Sequence, residues 1–158
     1  MKPIPITLLA AAGLLFCQAA SAQEFNLFLG CSGKAAAGNK TRQVYLDLAM
    51  RDNNETALIQ RSNVLPVGER LKYRASPMAY SMVYRAPLVG TKVYHDWYRG
   101  WLFTWEPNLK RLATIRLSID RQSADLEGEI LNAEDQVLGT LQMTCEPKTL
   151  EDMPQPKF

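Results

Sequence analysis

Between Thr114 and Cys145 apolar and polar residues alternate in three successive runs: Ile115, Leu117 and Ile119; Ala124, Leu126 and Ile130; and Val137, Leu141, Met143 and Cys145. A period of two marks a strand that buries one face. The polar clusters Asp120–Ser123 and Asn132–Asp135 separate the runs, and clusters of this kind connect antiparallel neighbours as hairpins. The segment reads as a three-stranded meander ending on a cysteine.

The same pattern predicts strands upstream. Phe25, Leu27, Leu29 and Cys31 share one face of a first strand, after which Ser32–Lys40 is small and polar with no hydrophobic period and reads as a loop. Val44, Leu46, Leu48 and Met50 alternate with Tyr45, Asp47 and Ala49 in a second strand, and Arg51–Asn54 forms a turn. Thr56–Gln60 and Glu69–Ala75 follow, the latter with Leu71 and Tyr73 inward; Met78, Tyr80, Met82 and Tyr84 share a face of a fifth strand that stops before Pro87. Tyr94–Trp105 holds every tryptophan and admits two readings. As a strand, Trp101, Phe103 and Trp105 share a face beyond a bend at Gly100; as a helix, Trp97, Trp101 and Trp105 form one stripe. Glycine in mid-helix and the neighbouring strands favour the strand. Eight or nine short strands at close spacing predict an all-β domain, an antiparallel up-and-down barrel or sandwich of about eight strands.

The ends of the chain set the compartment. Met1–Ala22 has the cationic Lys2, an apolar run from Ile4 to Phe16 and the small-residue ending Ala20-Ser21-Ala22, the layout of a secretory signal peptide. Cleavage after Ala22 leaves a single β domain from Gln23 to Glu146 and an irregular tail from Pro147 to Phe158, with no membrane span; the product is expected in the periplasm or secreted. The terminal Phe158 resembles the aromatic ending of outer-membrane barrels. Outward positions such as Arg116, Ser118, Glu127 and Glu129 are nevertheless polar, where a membrane barrel needs an apolar band.

Charge excludes further classes. The full chain has 18 basic and 16 acidic residues, and loss of Lys2 leaves the mature domain close to neutral. Nucleic-acid binding and anionic-membrane binding both need concentrated positive charge. Cysteine usage is more informative. Cys17 leaves with the signal, so Cys31 and Cys145 remain and, in an exported chain, are expected to form one disulfide tying the first strand to the last.

Catalytic constellations are not in evidence. One histidine and a disulfide do not make a metal site, and no Gly-x-Ser-x-Gly elbow is present. His95-Asp96 would point to opposite faces of a strand, and Glu127 and Glu129 continue a row begun by Asp125 on a solvated face. The expectation is a protein that is not an enzyme and needs no cofactor. Two functions fit. One is a protein-binding module, an inhibitor or accessory subunit acting on another envelope or secreted protein through Trp97, Tyr98 and Arg99, residue types enriched at binding hot spots. The alternative is a small-molecule carrier whose hollow barrel is lined by Tyr80, Tyr84, Trp101 and Trp105. In size, export and disulfide-tied β architecture the chain resembles the envelope lysozyme inhibitors. That resemblance is at the level of fold and carries no motif onto particular residues.

Overall fold

Period-two alternation repeated along a chain gives strands with one apolar face, and closing them on that face removes both the apolar surface and the sheet edges from water. The computed structural model describes residues 25–51, 56–86, 112–149 and 151–152. Eight strands make one closed barrel: β1 (Leu27–Ala37), β2 (Lys40–Met50), β3 (Thr56–Ser62), β4 (Arg70–Ala75), β5 (Ala79–Arg85), β6 (Thr114–Asp120), β7 (Asp125–Leu131) and β8 (Val137–Lys148). Each strand pairs antiparallel with its sequence neighbours, and β1 pairs with β8 to close the ring. Barrel, not sandwich, is therefore the architecture. The expected signal segment, Asp52–Asn54, the aromatic stretch Tyr94–Trp105 and the last residues of the tail lie outside the described residues.

At the closing seam Cys31 lies directly opposite Cys145, and the two form a disulfide across 114 residues of sequence. Both are buried, as the alternation requires. The interior is filled by the expected side chains, among them Leu46, Leu48, Ile59, Met82, Ile115, Leu126 and Ile130, all buried in a single apolar cluster. Outward positions on β6, β7 and β8 are polar and exposed, the reverse of a lipid-facing barrel.

Several details depart from the alternation. Ser32–Lys40 is not a loop. β1 continues to Ala37, and Gly38-Asn39 turns directly into β2, with Gly38 at φ 59°. The inward residues here are Gly33, Ala35 and Ala37, too small to register as a hydrophobic pattern, and the strand is held by β2 on one side and β8 on the other. The small size is required at Gly33. A Cβ there would sit 2.1 Å from the Gln142 carbonyl oxygen and 2.5 Å from the Met143 Cα, so the β1 and β8 backbones close on each other through this glycine.

Phe25 is buried, but it packs with Phe28 and Ala49 in a second cluster separate from the interior, with the Arg70 guanidinium 5.4 Å from its ring centre. Met78 lies in the β4–β5 turn and is exposed, and Val137 is exposed beside a register shift at Ile130/Leu131. β3 runs two residues past Gln60, and β8 runs on past Cys145 to Lys148.

Candidate functional site

In an up-and-down barrel alternate connections gather at each end. One end carries the β1–β2 hairpin, the β3–β4 connection and the β7–β8 turn, and there the chain leaves β5 at Ala86 and returns at Leu112. The Ala86 amide donates to the Ala113 carbonyl at 2.8 Å, so departure and return are adjacent. The 25 residues between Ala86 and Leu112 contain Trp97, Tyr98, Arg99, Trp101 and Trp105, all outside the described residues.

The surroundings of that departure point are well ordered by short-range chemistry. The buried Ser62 hydroxyl accepts from the Val64 and Leu65 amides, both at 2.9 Å, and this folds Val64 and Leu65 into the apolar cluster as a plug for the barrel end. Asn63 extends the anchoring: its Oδ1 accepts from the Tyr45 amide at 2.9 Å and its Nδ2 donates to the Gln43 carbonyl at 3.2 Å. In the β7–β8 turn the Asn132 Oδ1 accepts from the Glu134 and Gln136 amides, with Asp135 in the left-handed region at φ 58°. Val67 and Val137, 42% and 55% exposed, add apolar surface to this end. The result is a fixed platform from which a long segment departs.

Tyr80 and Tyr84, placed in the carrier reading as cavity lining, are buried in the interior cluster. Tyr80 packs edge-on against Tyr73 with ring centres 5.7 Å apart, and the Tyr73 hydroxyl donates to the Arg51 carbonyl. At the opposite end of the barrel Arg121 lies over the Tyr80 ring at 4.8 Å and donates to the Ser76 carbonyl, covering that side of the interior. Open space lies on the outer face. A groove of about 490 Å³ runs over β5 to β8, with Ser81, Val83, Arg116, Ser118, Glu127 and Glu129 among its lining. Among the described residues no group of three or more His, Cys, Asp or Glu side chains could hold a metal ion.

One charged arrangement escaped the alternation. Asp47 faces outward on β2 yet is buried, because Arg61 and Lys148 close over it: Arg61 Nε lies 2.8 Å from Oδ2 and Lys148 Nζ 3.8 Å from Oδ1. Lys148 reaches it across Gly30, where a Cβ would meet the lysine Cε at 2.1 Å. This strap links β8 to β2 over β1, on the outside of the seam that the disulfide ties from within. Sequence spacing gives no hint of it, since Lys148 is remote from Asp47 in the chain.

The hairpin that joins β6 to β7 carries a pH signature. The exposed Asp120 carboxylate accepts from the Ser123 amide at 3.0 Å and the Gln122 amide at 2.7 Å, and these bonds hold its pKa below the usual carboxylate value. Because the folded-state pKa is depressed, the stabilisation is complete above about pH 4 and is lost as pH falls through the folded value. A carboxyl NMR titration should place Asp120 below the usual range, and Asp120→Asn should lose less stability than the parent on acidification. Equal acid sensitivity of the two would remove this turn from the pH response.

Comparison with family models, with curated proteins and with solved structures yields no match for this chain. Its function is read from its own residues.

Proposed function

We propose that the protein is an exported, non-enzymatic protein-binding module, an inhibitor or accessory subunit of the cell envelope, that presents Trp97, Tyr98 and Arg99 from one end of a rigid barrel. The observation that carries this reading is the contrast between a side-chain-filled interior and one 25-residue connection rich in tryptophan, leaving an end otherwise sealed by Val64 and Leu65. Rigid scaffolds commonly carry function on such connections, because a long segment costs ordering entropy that packing alone does not justify. Tyr80 and Tyr84 pack in the interior cluster, Tyr80 edge-on against Tyr73, and this packing supports the module reading over the carrier. The Cys31–Cys145 crosslink is consistent with an oxidising compartment and supports a periplasmic or secreted location.

A photo-crosslinking amino acid at position 98, introduced in the natural envelope, should give a covalent adduct with another protein. The same group at Thr144, exposed on the barrel wall, should not. Once the partner is captured, Trp97→Ala or Arg99→Ala should weaken binding by about 2 kcal/mol or more, the scale of a hot-spot truncation. No protein adduct at position 98, or equal adducts at both positions, would refute the reading.

A further inference from the structure

The outer wall of a barrel is convex around its circumference, but coiled strands give it a waist, so along its axis the wall is concave. Outward side chains above and below the waist converge across it. The groove over β5 to β8 is such a channel, and register places its parts. Leu117 pairs with Gly128 and Gly128 with Leu141, which makes a floor of backbone whose side chains point into the barrel. Arg116, Glu129 and Thr140 share one transverse line on the bank nearer the sealed end; Ser118, Glu127 and Gln142 share a second line on the other bank. Gly128 deepens the floor. A Cβ there would meet the Leu117 Cδ2 at 2.8 Å and the Leu141 Cβ at 3.0 Å, so β7 sinks onto those side chains further than a larger residue allows. The low point lies between Glu127 and Glu129, whose Cα atoms stand about 6.8 Å apart along the strand.

The two carboxylates are unmatched there. Both are exposed, and among the described residues no ion pair reaches either of them. Arg116 lies cross-strand from Glu129 but is drawn the other way, its Nη2 donating to the Asp135 carboxylate at 2.9 Å in the β7–β8 turn. Lys34 stands beyond Gln142, two strands from Glu127 and outside the lining of the groove. Val83, 44% exposed on β5 opposite Arg116, adds apolar surface at the same end of the channel. An alkyl stem with a cationic head fits such a place, the stem toward Val83 and the head between the carboxylates.

We infer that this groove seats a lysine or arginine from a basic segment of the protein partner, with its head group held between Glu127 and Glu129. It rests on the protein-binding role proposed above, of which it names the partner's chemistry. The groove is also in the right place for that partner. Val83 and Arg116 lie two residues from Arg85 and Thr114, the ends of β5 and β6 between which the tryptophan-rich connection leaves and returns. A partner gripped by that connection lies against this side of the wall. A protein fits better than a free small cation, because two exposed carboxylates hold a small ion weakly, whereas a side chain tethered through a second contact meets them at high effective concentration.

Photo-crosslinking in the natural envelope tests this, with the reactive group at Thr140 on the groove's bank in parallel with position 98. Thr140 is exposed. The expected result is that Thr140 captures the same protein as position 98, and that the captured peptide, identified by mass spectrometry, carries Lys or Arg. Glu127→Lys/Glu129→Lys should cut the yield of the position-98 adduct at least about fivefold, and the neutral Glu127→Gln/Glu129→Gln should cut it less, in the same direction. Both glutamates are exposed, so circular dichroism of each variant should match the parent. An adduct at position 98 accompanied by none at Thr140, by a different protein there, by a peptide lacking Lys and Arg, or by a yield unchanged on charge reversal would overturn the groove's role and leave the protein-binding role standing. No adduct at either position would refute the binding role and the groove with it.

Discussion

Replacement of both seam cysteines, as Cys31→Ala/Cys145→Ala, is expected to lower the unfolding free energy of the mature domain by roughly 4 kcal/mol. The bond closes a loop of 114 residues, and for a loop of that length the chain-entropy model gives about 4 to 5 kcal/mol from restriction of the unfolded state. The nine residue pairs between β1 and β8 remain in the variant, so the folded barrel persists while its unfolded competitor gains freedom. A domain whose net stability is only about 5–15 kcal/mol would lose a large part of its margin. Urea unfolding of the oxidised parent and the variant checks this. A difference below about 1 kcal/mol would mean that the crosslink constrains little that the rest of the chain has not already fixed.

Gly33→Ala is expected to be comparably severe, about 3 kcal/mol or more, for a different reason. The new methyl would meet backbone atoms, the Gln142 oxygen at 2.1 Å and the Met143 Cα at 2.5 Å, and backbone in a paired strand cannot swing aside as a side-chain end can. Relief requires β1 and β8 to separate two residues from the disulfide, with loss of ladder hydrogen bonds on the closing seam. Ser32→Ala, one residue away but exposed on the outer face, should stay within about 0.5 kcal/mol. Thermal unfolding of the two variants separates these expectations, and similar midpoints would show that the seam has slack at Gly33.

The difference between these positions explains how much of the fold was legible in sequence. Strands whose inward residues are large, such as β2 with Leu46 and Leu48 or β6 with Ile115 and Leu117, announce themselves by alternation alone. The second half of β1 does not, because the closing seam demands Gly33, Ala35 and Ala37, and small residues carry little hydrophobic signal. The disulfide was readable because the expected loss of Cys17 with a signal segment leaves Cys31 and Cys145 as one pairing. Asp47 was read as outward, and it is outward; its burial comes from Lys148, which register brings across Gly30 from the far end of the chain.

The acidic row of Asp125, Glu127 and Glu129 read as a solvated strand face, and its residues are exposed on β7. Which residues of the neighbouring strands they lie beside depends on register, set by turns and core packing together. The candidate binding residues Trp97, Tyr98 and Arg99 were picked by composition, and the fold adds the position of the two chain ends that hold them, Ala86 and Leu112, at the sealed end of the barrel.

The central claim is that a filled barrel acts by holding another protein. Native mass spectrometry of the mature protein isolated from its own envelope tests it most directly. The predicted result is the barrel carrying the mass of a second, different protein, lost when Trp97 is replaced by alanine. A barrel that arrives bare, or with only a small-molecule mass added, would contradict it.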